Sequence, residues 1–167
     1  MDDRSLNLVA TLGTMLGDTV ARAVEASTGM SGAAPAGLAA LLAEPGLSVD
    51  ALARTLGITG SGGVRLIDRL AGAGLVVRGP GKDARQVSLR LTAAGEELAR
   101  RVLRARGEAV EHALAALDES EQAVLVLLAE KMLISATTGR EQADRLCRLC
   151  DTKACPTDRC PVEQAVP

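Results

Sequence analysis

Nowhere in the 167 residues of this chain is there a Phe, Tyr or Trp. A domain of this length must still bury a sizeable core, so Leu, Val, Ala, Ile and Met have to supply all of it. Such side chains interdigitate well between packed helices, whereas strand-rich sandwiches draw on aromatic residues. The expectation is a mainly helical fold. The same absence leaves no aromatic platform on which a base, sugar or ring could stack. Hydrophobic residues still make up 47% of the sequence, enough to argue against wholesale disorder.

The start, MDDRSLNL, is acidic and lacks the basic-then-apolar order of a secretory signal. The longest apolar stretch, AVLVLLA at 123–129, is too short to span a bilayer. A cytoplasmic protein with no membrane partner is expected.

Apolar residues recur at three- and four-residue steps over 4–26 (Leu6, Val9, Leu12, Leu16, Val20, Ala23), which predicts an amphipathic helix. A breaker-rich connection, STGMSGAAPAG, leads to a short helix over about 36–44 that stops at Pro45-Gly46. Ser48 offers a cap to SVDALARTLG, closed by Gly57, and Thr59 caps a helix reaching about Ala73, with Gly74 ending it. LVVR (75–78) and QVSLRL (86–91) read as a hairpin around the basic tip GPGKDAR, with Val87, Leu89 and Leu91 on its inward face. Thr92 caps a long helix to about Leu117, and Asp118 with Glu121 forms a capping box for another over about 119–138. The pattern is mainly α with a small β-hairpin: a winged helix-turn-helix flanked by N- and C-terminal helices.

In LARTLGITGSGGVRLIDRLAGAGLV (52–76) two helices flank a tight Gly-Ile-Thr turn, an arrangement that presents its second helix to a DNA major groove. Leu56, Ile58, Val64, Ile67 and Leu70 are expected to pack the motif, with Gly60, Ser61, Gly62, Arg65 and Arg69 outward. Charge agrees. The chain carries a net −2, yet eleven basic residues face only four acids between Arg54 and Arg106. A basic centre in an acidic frame suits a polyanionic partner.

The segment LARTLGITGSGGVRLIDRLAGAGLVVRGPGKDARQVSLRLTAAGEEL resembles the DNA-binding core of the MarR family of bacterial transcription regulators. The likeness is carried by the Leu-Gly-Ile-Thr turn, the Arg-Leu-Ile-Asp-Arg-Leu helix, Gly-Leu-Val, the wing residues Asp83 and Arg85, and Leu91-Thr92 with Gly95. It covers about residues 50–98 strongly, and helices at 4–26 and 100–138 match the family's dimerisation arms more loosely. The resemblance implies a homodimer on double-stranded DNA, usually a repressor, reading half-sites of a pseudo-palindrome. By position it puts Thr59, Ser61 and Arg65 at or near the groove, Arg69 near a phosphate, Lys82 and Arg85 in the wing, and Asp83 in a structural role orienting an arginine. Gly60, Gly62 and Gly63 stand where the family more often has larger side chains. Each costs a helix roughly 1 kcal/mol relative to alanine, and the favoured reason is close approach of backbone to phosphate. A small-molecule effector of the family kind is left unidentified.

The bland reading of Arg65 and Arg69 is an exposed face paired with Asp68; motif and charge together favour DNA contact. For Arg100, Arg101, Arg104 and Arg106 the order reverses. His112 stands alone and reads as a surface residue.

All four cysteines fall in CRLCDTKACPTDRCP: Cys147, Cys150, Cys155 and Cys160. In a reducing cytosol this clustering argues against a disulfide framework. Residues from Arg140 read as helix, putting Cys147 and Cys150 one turn apart. Pro156 and Pro161 push the preceding cysteines toward extended backbone, so the tail can curl back and bring four thiolates together. Soft ligands in tetrahedral number favour Zn2+, with an iron–sulfur cluster as the alternative and a thiol–disulfide sensor third.

The chain therefore divides into an N-terminal dimerisation helix and connection (1–35), a winged helix-turn-helix (36–98), C-terminal dimerisation helices (99–140) and a metal-binding tail (141–167). A regulator rather than an enzyme is expected. The rival from another class is a thiol–disulfide oxidoreductase using Cys147-Arg148-Leu149-Cys150, which lacks the strand-then-helix setting of such enzymes. No Ser/His/Asp arrangement supports hydrolysis.

Overall fold

The computed structural model describes residues 1–81 and 87–167. Helices α1 (Asp3–Thr28), α2 (Ala34–Ala43), α3 (Val49–Leu56) and α4 (Gly60–Gly72) precede an antiparallel hairpin of β1 (Val76–Pro80) and β2 (Val87–Leu91). Helices α5 (Ala93–Leu114), α6 (Glu119–Ala136), α7 (Arg140–Cys147) and α8 (Pro161–Gln164) follow. The mainly helical winged architecture expected from the sequence is the one observed.

Capping chemistry sets most boundaries. Asp2, Ser48, Thr59, Thr92 and Asp118 each accept a hydrogen bond from a backbone N–H in the first turn of α1, α3, α4, α5 and α6. Gly57 closes α3 in the left-handed region at φ 66°. α2 begins at Ala34, inside the stretch expected to be a connection, because Pro35 fits the first turn of a helix, where no N–H is needed. α5 stops at Leu114 rather than Leu117. The Gln122 side chain donates to the carbonyls of Leu114 and Leu117, satisfying groups that a longer helix would have bonded internally.

The main core joins α2, α3, α4 and the hairpin, with Leu38, Leu41, Leu52, Ile67, Leu70 and Leu89 fully buried. A second cluster locks α1 to α5 through Val24, Val102 and Ala105. A third, Ala143, Cys160 and Val162, holds α7 to α8.

Two apolar assignments change. Val64 is 47% exposed, and Leu66 takes the inward position on α4. Val87 is 45% exposed while Ser88 is buried, its hydroxyl donating to the Pro80 carbonyl across the hairpin. A buried hydroxyl with a partner costs little, so the simple alternation breaks at the start of β2.

Two glycines are explained by contact. A Cβ at Gly63 would sit 2.9 Å from that of Ala53, so Gly63 is where α4 crosses α3, facing inward rather than toward a phosphate. A Cβ at Gly95 would collide with the Leu75 carbonyl oxygen. That carbonyl accepts from the Thr92 N–H, and the Thr92 hydroxyl donates to the Gly74 carbonyl, clamping the start of α5 onto the turn before β1. Gly95→Ala is expected to destabilise the fold by about 2–4 kcal/mol, since backbone rather than a flexible side chain blocks the methyl; urea unfolding measures it.

Candidate nucleic-acid interface and cysteine module

α4 is launched by the Gly57-Ile58-Thr59 turn and buries Gly63, Leu66, Ile67 and Leu70. This leaves Gly60, Ser61, Arg65 and Arg69 exposed along the opposite face, with Gly62 half-buried at its edge. Thr59 is also exposed, but its oxygen is taken: it accepts from the Gly62 N–H at 3.1 Å and lies 3.3 Å from the Ser61 hydroxyl. Thr59 is first of all a helix cap.

The nearest acid on this face, Asp68, does not pair with its helix neighbours. Arg78 of β1 binds it at 2.6 Å, ten residues along the chain and across a turn. No local sequence pattern marks that pair. Its effect is that, among the described residues, neither Arg65 nor Arg69 has a salt-bridge partner. Arg100 and Arg104, by contrast, are engaged by Glu96 and Glu97, as a solvated helix face should be. Arg101 donates to the Ser27 carbonyl and so caps the end of α1. The wing residues Lys82, Asp83 and Arg85 lie outside the described residues.

Little covers the remaining apolar surface. No residue of α6 is buried, although Val124, Leu127, Leu128 and Met132 lie along it. The outer half of α1 exposes Leu6, Val9, Leu12 and Met15.

The tail turns back as the proline spacing suggests, though α7 ends at Cys147. The Cys150 N–H then bonds the Cys147 carbonyl in a turn, and Cys160, extended at φ −75° and ψ 117°, precedes α8. Pro161 starts that helix instead of only ending the preceding one. Arg140 holds Glu163 with two bonds, at 2.9 and 2.8 Å, tying α7 to α8 and depressing the Glu163 carboxyl.

All four thiols are free. The Cys147 thiol is hydrogen-bonded to Cys150, holding Cys150 down to about 6, and the positive charge of Arg106 on α5 acts in the same direction. The same contact, with burial, pushes Cys147 up. Burial and contact with Cys160 raise Cys155. The four are therefore neighbours, but their arrangement is not a closed coordination shell. Among the described residues no group of three or more His, Cys, Asp or Glu is placed to hold a metal ion.

The loop between and after the first two cysteines wedges against the arm. Leu149 packs on the Val24 and Val102 cluster. Arg148 and Leu149, with Arg106, wall a cavity of about 440 Å³ between α1, α2 and α5. The sequence marked the thiols but read Arg106 as part of a solvated face, because its role depends on where the tail docks.

Residues 28–86, which take in this recognition helix and the first strand of the hairpin, match the MarR family model. Over that stretch the chain is similar to the MarR family. A crystal structure of a Mycobacterium tuberculosis MarR-family protein is 29% identical, covers 78% of this chain and 95% of its own, and superposes with a TM-score of 0.64. That protein's complex with salicylic acid gives 28% identity over 75% of this chain and 93% of that one, with a TM-score of 0.60. MepR of Staphylococcus aureus, a regulator of the multidrug efflux pump MepA, shares the fold at 22% identity, with 77% and 95% covered and a TM-score of 0.66. No curated protein sequence matches the chain. MarR-family proteins are transcription regulators, not enzymes; they bind DNA and act as dimers. Among the described residues no helix is long and apolar enough to cross a membrane.

Proposed function

We propose that the protein is a homodimeric, sequence-specific repressor that reads a pseudo-palindromic operator, with a zinc-binding tail of four thiolates. The observation that carries the DNA-binding part is the α4 face: Arg65 and Arg69 stand exposed and, among the described residues, without an ionic partner, Asp68 being bound by Arg78 instead. Free guanidiniums on a groove-sized helix suit guanine edges and phosphates. Arg65, with Thr59 and Ser61, faces the major groove; Gly60 and Gly62 let the first turn approach the backbone; Arg69 meets a phosphate. Lys82 and Arg85 supply the wing, with Asp83 orienting an arginine beside them, and Arg85 enters the minor groove. The cavity beside Arg106 and Arg148 takes a small amphipathic acid as effector, the chemistry of the salicylic acid bound by the M. tuberculosis relative.

Titration against genomic fragments at several salt concentrations tests this reading. Arg65→Ala is expected to cost about 1–3 kcal/mol and relax discrimination at one base pair. Arg69→Ala should weaken all sequences alike and lower the salt slope by about one. No selective complex at low salt would overturn the assignment.

The tail's donor set supports zinc: four soft, uncrosslinked ligands, one with a depressed pKa, near the cation Arg106. A specific observation favours a second reading. Cys147 and Cys150 sit in one turn, the Cys150 N–H bonded to the Cys147 carbonyl, whereas among the described residues no three ligands stand ready for an ion, which suits a thiol–disulfide sensor. Reduction of a test disulfide by the protein distinguishes exchange chemistry from coordination.

A further inference from the structure

The cysteine tail also reaches the DNA-reading motif of its own chain. Arg145, two residues before Cys147, extends its guanidinium from α7 to the end of α3, where its Nε donates to the Arg54 carbonyl at 3.3 Å. The same carbonyl accepts from the Gly57 N–H at 3.0 Å. The Nε lies 3.9 Å from where a Cβ of Gly57 would stand, so the guanidinium sits against the turn that launches α4. A cation there meets the carbonyl end of α3, where the helix dipole favours it.

We propose that Arg145 is a positioning residue for the recognition helix, and that the cysteine module acts on DNA binding through it. The inference rests on the DNA-binding reading above. The anchoring follows from the tail's own contacts. α7 is fixed to α8 by the Arg140–Glu163 pair and by Ala143 against Cys160 and Val162. Leu149, two residues beyond Cys147, is seated in the arm cluster of Val24 and Val102. The first cysteine thus lies between a contact to the arm on one side and a contact to the helix-turn-helix on the other. A change in how the thiols are held moves both.

The attachment to α3 is polar and open. Beside it a cleft of about 580 Å³ opens between the two helices, lined by Leu47, Ala51, Arg54 and Thr55 on one side and Arg140, Glu141 and Asp144 on the other. Arg145 makes this contact from a partly exposed side chain through a single long hydrogen bond, so it can be lost without unfolding either element. An ordinary surface role is the competing explanation: Glu141 binds another nitrogen of Arg145 at 2.7 Å, an i,i+4 pair of the kind that contributes little.

Full-length protein, an operator fragment selected by the wild type, and fluorescence anisotropy separate the two. Arg145→Ala is expected to weaken binding roughly five- to tenfold and to speed amide exchange at 54–62. Arg145→Lys, which still places a cation at the helix end, should recover to within about twofold. Glu141→Gln should stay within about twofold of the wild type, because it leaves the contact to Arg54. Cys155→Ser alters the module at its exposed cysteine and should weaken binding alone, yet add nothing in the Arg145→Ala background. Wild-type affinity in Arg145→Ala, equal losses in Glu141→Gln and Arg145→Ala, no loss in Cys155→Ser, or additive losses in the double variant would each overturn the proposal. A wild type that selects no operator would overturn the DNA-binding reading itself.

Discussion

Leu128→Glu is expected to abolish the dimer. α6 has 18 residues and buries none of them, while Val124, Leu127, Leu128 and Met132 are 55%, 59%, 52% and 65% exposed. Burying such side chains contributes up to about 1.5–3 kcal/mol for each one taken fully out of water, a driving force of the size needed to offset the entropy lost when two chains associate. The outer half of α1 also exposes Leu6, Val9, Leu12 and Met15. An unpaired carboxylate at Leu128 would have to enter that interface without a partner, at a cost of several kcal/mol. Sedimentation at micromolar concentration should show monomer for the variant and dimer for the wild type. Helical content should be retained, because Leu128 supports no intrachain core. A variant that still sediments as a dimer would mean that α6 faces something other than a second copy.

The expected monomer carries a second consequence. One winged helix reads one half-site, so affinity for a palindrome should fall far more than the loss of any single base contact, since the second half-site no longer benefits from tethering. Loss of operator binding with α4 intact would tie the apolar helix to function through geometry alone.

How much of this was legible beforehand follows from what each feature depends on. The caps at Ser48, Thr59, Thr92 and Asp118 are local, and each lies where side-chain chemistry put it. The hairpin was visible, but its inward face was misread at Val87, because the choice between Val87 and Ser88 depends on a hydrogen bond to Pro80 across the pair. Gly63 looked like a concession to DNA and is a concession to Ala53. Helix crossing distance leaves no trace in one segment's periodicity. Arg78 and Arg145 went unmarked, and Arg106 was read as part of a solvated face, for the same reason: each acts on a residue distant in sequence, Asp68, Arg54 and Cys150 respectively. The family motif covered the recognition helix well, whereas the docking of the tail lies beyond the residues the family model matches.

Protein purified without oxygen is expected to carry about one zinc per chain, and Cys147→Ser to lose it. The argument is energetic. The tail's own core is only Ala143, Cys160 and Val162, with Leu146, Cys147 and Val166 half-buried around it. Three small side chains contribute a few kcal/mol at about 25 cal/mol per Å² of apolar area, while ordering the run from Arg148 to Arg159 costs roughly 1–2 kcal/mol per residue. The Arg140–Glu163 pair is solvent-exposed and offsets little of this. A cross-link through the thiols would offset that cost. Zinc would do so, held by the thiolates of Cys147, Cys150, Cys155 and Cys160. Acidification should release the ion as the thiolates take up protons, and the freed tail should become protease-sensitive between Arg148 and Arg159 while the winged helix resists. Elemental analysis with a visible spectrum separates the outcomes cleanly, because a chain without Trp or Tyr has almost no near-ultraviolet absorption of its own. A brown, iron-containing protein would replace zinc by a cluster. Metal-free protein whose tail stays protected only after mild oxidation would transfer the cross-link to a Cys147–Cys150 disulfide, in keeping with the turn those two residues already share.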